Sequence, residues 1–359
     1  MKYMKELERL QSGPYPLTDY EIGQLERLGA SLHSSGDCSG WVVLSRFGNG
    51  FVREIAVRAL SVCASVDALV ALLERLNDWV PQVRQQAAIS LESYLMPERV
   101  GLLLQVLAPL MSLAHKQRAD HGVMLARVRD VMKAPQAHGE VVKAFVASQG
   151  KVARFLFRLL LEGVADPVEL LTVALTHREM TVRQMAVDGC AALPVEKAVA
   201  LLELAFEAPG SSVRVKALRA LLTRVEDPRE HVRVALLDVS AAMRCLARWA
   251  APRWQLDCRS VLLARLTEPL PSTKREWLGV IGLAKELNEP QADALLRQAL
   301  ETPLVNVRIP ALEALGERGL MQQINALDDP SDKVFRCAVV LLRQQPWASV
   351  DESLEDAMA

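Results

Sequence analysis

The chain has 359 residues, enough for two or three compact domains or one elongated array, and its formal charge is -1. A balance so near zero gives no whole-chain attraction to nucleic acid or an anionic membrane. Hydrophobic residues make up 51% and aromatics 5%, with Ala, Leu, Val and Arg dominant; this is the palette of closely packed helices, and no long run alternates with the period of a strand.

The opening segment, Met1–Gly13, is too charged for a signal peptide. Residues 1–17 read as a short helix closed by Gly-Pro-Tyr-Pro, and Thr18 with Glu21 forms a capping box opening a helix to about Gly29. His33–Gly40 reads as a polar loop and Trp41–Phe47 as a short helix. Residues 50–64 and 66–76 make one helix pair, 79–95 and 98–114 the next. Gly101–Ala114 is the most apolar run; at 14 residues, with Gln105 and Pro109 inside it, it reads as one buried helix and not a membrane span. Residues 115–165 keep helical periodicity as three helices broken near Pro135 and Gly150. Residues 166–226 give two units entered at Asp166-Pro167 and Leu193-Pro194. Residues 229–301 are irregular and rich in Arg and Trp, with one pair over 271–301. Two closing units span 303–345, and an acidic tail follows at 346–359.

A motif returns along this series. Val52, Val83, Val182, Val213, Val307 and Val334 each begin a helix, and four residues later stand Ala56, Ala87, Ala186, Ala217, Ala311 and Ala338. Eight residues after the valine come Leu60, Leu91, Cys190, Leu221, Leu315 and Leu342. These positions share one helical face, and alanine at its centre lets a neighbouring helix approach. Val52 and Val83 lie 31 residues apart, as do Val182 and Val213. One helix pair cannot cover such a face, so the units must stack. Arg53, Arg84, Arg183, Arg214 and Arg308 follow the valine directly. A cation at a helix start is poorly placed in the helix dipole. These arginines are expected instead to reach a turn carboxylate or carbonyl, with Asp78, Asp329 and Asp332 as candidate acceptors.

The Val-Arg-x-x-Ala helices resemble those of the HEAT-repeat family, most strongly at 79–91 and 305–315. The resemblance implies an all-α, right-handed α-solenoid of stacked antiparallel helix pairs with a period of about 31 residues. It covers most of the chain as a single array whose concave face holds a partner. In that reading the valine, alanine and leucine form the seam. Function is then expected where the motif fails, at 115–165 and 229–280.

Both stretches are basic. The first holds nine Lys/Arg, among them Arg127 and Arg129; the second holds Arg229, Arg233, Arg244, Arg248, Arg253, Arg259 and Arg265, with Trp249 and Trp254 between them. Trp249, Trp254, Arg244, Arg248, Arg127 and Arg129 are therefore the expected partner-binding residues. No phosphate-binding glycine loop, HExxH or GxSxG is present, so no catalytic residue, cofactor or metal is expected. His115, His121 and His138 read as unrelated surface histidines. Six scattered cysteines without a CxxC read as reduced thiols of a cytoplasmic protein.

The expected function is non-enzymatic protein binding by a molecule that is a monomer when free. Its size and irregular middle resemble bacterial HEAT-type proteins that neutralise a cognate toxin by occlusion; a general scaffold is the neighbouring reading. The alternative of a different class is nucleic-acid binding. The HEAT-like alkylpurine DNA glycosylases combine an aromatic cleft, a catalytic aspartate and a basic surface. Trp249, Trp254, Asp257 and Trp277, with Arg244 and Arg248 on phosphates, match those residue types.

Overall fold

The computed structural model describes Thr18 and residues 38–346. The two N-terminal helices, the Thr18–Glu21 box and the acidic tail lie outside the described residues, apart from Thr18 itself. The protein is all-α, with no strand among the described residues. By internal contacts it divides into two units: residues 1–170 with 177–182, and residues 171–176 with 183–359.

In the first unit the helices are α1 (Ser39–Leu44), α2 (Gly50–Ala59), α3 (Val66–Arg75), α4 (Pro81–Leu91), α5 (Val100–Gln105), α6 (Leu107–Ser112), α7 (Gly122–Lys133), α8 (His138–Ala147) and α9 (Gly150–Gly163). The motif helices α2 and α4 stack on one another, and α3 packs against α4, α5 and α6. The middle block forms three helices with breaks at Pro135 and Gly150, as expected; Gly150 sits at φ +62, where a side chain would be strained. The apolar run is not one helix. It divides at Val106, because Pro109 has no N–H for the Gln105 carbonyl and its ring crowds that oxygen.

Helices α10 (Val168–Leu175) and α11 (Met180–Gly189) straddle the division between units. The second unit continues with α12 (Val195–Glu207), α13 (Ser211–Arg224), α14 (Arg229–Leu236), α15 (Ala241–Ala250), α16 (Cys258–Leu266), α17 (Lys274–Leu287), α18 (Asp293–Leu300), α19 (Val305–Leu315), α20 (Leu320–Asn325) and α21 (Asp332–Leu342). Here α13 stacks on α15, α17 on α19 and α19 on α21, while α12, α14, α18 and α20 each pair with the motif helix that follows.

The seam is as the spacing requires. Ala56, Ala87, Ala186, Ala217, Ala311 and Ala338 are all fully buried, as are five of the six leading valines, Val334 being 1% exposed. The arginines follow one geometry. The Nη1 of Arg53, Arg84, Arg214 and Arg308 donates to the carbonyl six residues earlier: Phe47, Asp78, Ala208 and Thr302. The other edge of Arg53, Arg214 and Arg308 makes a two-pronged bond to a later turn aspartate: Asp78, Asp238 and Asp329 respectively. Each aspartate also accepts a backbone N–H two residues on, from Val80, Ser240 or Ser331, which sets the entry turn of the next helix. Asp332 is not such an acceptor; it is exposed and its carboxylate lies 3.9 Å from Arg336. His177 does the aspartate's turn work in one place: its Nδ1 accepts from Glu179 N, and its ring stacks on Phe145.

One cysteine expectation is corrected. Cys38 and Cys63 form a disulfide, because the α1–α2 hairpin brings residues 25 apart in sequence to a Cα separation of 6.1 Å. Cys190 is buried, Cys258 and Cys337 are half-buried, and Cys245 is exposed. No helix among the described residues is long and apolar enough to cross a membrane.

Candidate functional site

The six expected partner-binding residues separate into three groups. Arg244 is a seam residue. Its guanidinium is 6% exposed, with Nη1 bonded to the Asp238 carbonyl six residues earlier, as in the other repeats. Its Nε and Nη2 bond Glu286 of α17 at 3.0 and 2.6 Å. Met243, Ala247 and Ala251, buried, stand where valine, alanine and leucine stand elsewhere. This unit of the repeat was hidden because methionine replaces the valine. Arg248, half-exposed, shares Glu286 at 3.3 Å.

Arg127 and Arg129 form exposed ion pairs in the first unit, Arg127 with Glu92 and Arg129 with Glu162, which also holds Lys133. The basic character of the second stretch is largely cancelled on folding. Arg229 meets Asp227 and Arg259 meets Glu289, both acids outside the stretch, and Arg265 meets Glu268 within it. Sequence windows cannot see this, since Glu286 and Glu289 reach their arginines only through helix stacking.

Trp249 and Trp254 form the third group, and the structure brings them together. Pro252 ends α15, and a single tight helical turn, Ala251–Trp254, follows. Leu256 N donates to Ala251 O, which closes the turn, and Gln255 takes the left-handed conformation at φ 54. The turn swings Trp254 round, so both indoles line one groove of about 740 Å³ in the second unit. Val215, Leu222 and Leu246 complete an apolar floor, and Trp249 stands 72% exposed. Cys245 also lines it. Such a volume is in the range of ligand-binding clefts.

Arg219 and Arg253 border this groove, and no carboxylate lines it. Arg253 lies over the Trp254 ring at 5.8 Å, and neither it nor Arg219 makes an ion pair among the described residues. These two were not among the expected residues. Arg219 belongs to α13, a regular repeat helix, where a sequence reading expects only seam and solvent. No sequence signal marks it, because Arg219 and Leu222 meet Leu246 only through the stacking of α13 on α15.

Asp257 and Trp277 do not join the two indoles. Asp257 caps α16, accepting from the backbone N–H groups of Arg259 and Ser260 and from the Ser260 hydroxyl. The Ser260 hydroxyl and the backbone donors hold its carboxyl below the ordinary range. It faces a separate groove with Glu230, Arg233 and Ser260. Trp277 is buried in α17. Among the described residues no three His, Cys, Asp or Glu side chains converge as a metal site. His121 is buried, and desolvation lowers its pKa.

A second exposed tryptophan, Trp79, lies in the first unit beside Asn77, Lys116 and Arg118, in a more polar cleft of about 470 Å³. Arg118 there bonds the Asn77 carbonyl.

No family model matches the chain, and no curated protein does. Among solved structures, the crystal structure of an engineered protein aligns over 97% of this chain and 86% of its own, at 16% identity and a TM-score of 0.24. A superposition of that quality carries no argument about fold or function.

Proposed function

We propose that the chain is a HEAT-like helical-repeat protein, an α-solenoid that acts by binding another protein and not by catalysis. The observation that carries this reading is the groove between α13 and α15: an apolar floor, a tryptophan 72% exposed at its edge, and two arginines without acid partners. Tryptophan and arginine around an apolar centre are the side chains that dominate the energetics of protein interfaces. The buried seam arginines support the same division of labour. They fix the turn between repeats, so that the groove is held by ties on both sides: Arg214 with Asp238, and Arg244 with Glu286.

Within this class the reading extends to a protein that is a monomer when free and occludes its partner, as an immunity protein occludes a toxin. A scaffold would use the same surface without inhibiting anything.

The test is purification of the tagged chain from its source cells, with native mass spectrometry of whatever co-elutes. The expected result is a stoichiometric protein complex that Trp249→Ala abolishes while Lys333→Glu, at an exposed position of α21, leaves it intact. Co-expression of that partner then separates occlusion, where the partner's toxicity disappears, from scaffolding. The reading is overturned if no protein co-elutes and the chain is instead retained on DNA with a steep salt dependence. Release of alkylated bases that is lost in Asp257→Asn would assign the glycosylase reading.

A further inference from the structure

We infer that the α13–α15 groove takes a short acidic peptide segment, one that places an aliphatic or aromatic side chain on the apolar floor and carboxylates at both rims. The inference rests on the protein-binding reading above and names the chemistry of the partner.

The argument is one of charge complementarity. Several arginines of the second unit find acids: Arg214 with Asp238, Arg229 with Asp227, Arg244 and Arg248 with Glu286, Arg259 with Glu289, Arg308 with Asp329. Arg219 and Arg253 make no ion pair among the described residues, and they border a groove that contains no carboxylate of its own, Glu226 and Asp227 lying in the neighbouring cleft that Arg253 also lines. Two guanidinium groups beside apolar surface are the complement of a segment carrying both negative charge and an apolar anchor.

The anchor is dictated by the floor. Val215, Leu222 and Leu246 offer only methyl and methylene groups, flanked by the Trp249 ring. A nucleic acid is disfavoured by the same surface, since two cations do not make the extended phosphate track that backbone binding needs.

The test is selection of random twelve-residue peptides displayed on phage against the full chain, followed by titration of the synthetic winners. The expected peptides carry at least two Asp or Glu flanking a Leu, Phe or Trp. Trp249→Ala should weaken them about 30-fold, the cost of losing an interface hot spot, while Trp249→Phe retains most of the affinity. The Arg219→Glu, Arg253→Glu double variant should weaken them by about tenfold or more and, on reselection, enrich basic peptides instead. Lys333→Glu, at an exposed position of α21, should change nothing, and equal melting temperatures of all variants exclude unfolding as the cause.

The inference is overturned if the winners show no acidic bias, if they bind Trp249→Ala as well as the parent, or if a single-stranded oligonucleotide binds and is lost in the double variant. If a co-purified protein partner still depends on Trp249 while the peptides show no acidic bias, protein binding stands and only the acidic specificity falls. If neither partner nor peptide depends on Trp249, both fall.

Discussion

Arg244 Nη2 lies 2.6 Å from Glu286 Oε1, and the same guanidinium donates to the Asp238 carbonyl, so one buried cation joins the entry turn of α15 to the α17 helix. This residue was expected to face a partner. Its place in the seam makes the opposite prediction. Arg244→Ala leaves Glu286 without its closest donor and should destabilise the chain by about 3–5 kcal/mol, the cost of breaking a buried pair. Arg248→Ala, whose side chain is a third exposed, should cost under about 1 kcal/mol. Urea unfolding measures both. If Arg244→Ala unfolds like the parent and loses only partner binding, the residue is a docking contact after all.

Gly279 gives a second prediction, decided by two opposed effects. In a helix interior, Gly→Ala ordinarily stabilises by about 0.5–1 kcal/mol. At 279 an added methyl would run into the Leu237 carbonyl, which is backbone and cannot step aside. Overpacking of this kind costs about 1–3 kcal/mol, so Gly279→Ala should be net destabilising. Gly139→Ala in α8, where nothing lies within 4 Å, should show the ordinary gain. Thermal melts of the two variants should therefore move in opposite directions.

These residues also mark how far the sequence could be read. The six Val-Ala helices were legible because burial at positions 0, +4 and +8 leaves a chemical trace in every repeat: Ala56 and Ala338 are as buried as the pattern demands. The repeat at Met243 left a weaker trace, since methionine fills the same space as valine without sharing its signature. Gly279 left none, because a close approach to a carbonyl 42 residues earlier has no local pattern. The site was legible at Trp249 and Trp254 through residue type. Arg219 was not, because being unpaired is a property of the folded surface. The basic stretches misled for the same reason: their charge is a property of windows, whereas Arg244, Arg248 and Arg259 are neutralised by Glu286 and Glu289 across helices.

Acid should act on the seam. Burial alone would raise the carboxyls of Asp78 and Asp238, but the hydrogen bonds from Arg53 and Arg214 and from backbone N–H groups outweigh it, and both sit below the ordinary value of 3.8. A carboxylate whose folded pKa is depressed stabilises the fold fully above its unfolded pKa, and that stabilisation is lost as pH falls through the folded value. The urea midpoint should accordingly be flat from about pH 7 to 5 and fall below about pH 4. Asp238→Asn should be weaker at neutral pH and lose less on acidification. A midpoint that falls between pH 7 and 5 would require a different titrating group.

The Cys38–Cys63 disulfide closes a loop between residues 25 apart, which in the chain-entropy picture stabilises by about 3.5 kcal/mol. Reductant should lower the unfolding midpoint of the parent and leave Cys63→Ser unaffected. Cys245→Ser, at an exposed free thiol, should respond to reductant like the parent.

Gln255 is a non-glycine residue held at φ 54 and ψ 35, directly after Trp254. The left-handed region costs an L-residue about 1–2 kcal/mol, and glycine occupies it without that penalty. Glycine also loses more freedom on folding, which offsets part of the gain. Gln255→Gly should therefore stabilise by up to about 1 kcal/mol. The closing bond from Leu256 N to Ala251 O is backbone and survives the change, so Trp254 should keep its place in the groove. Partner affinity unchanged alongside a raised midpoint is the expected pair of results. Lost affinity would mean that the Gln255 side chain itself touches the partner, which would extend the site beyond Arg253 towards Glu226 and Asp227.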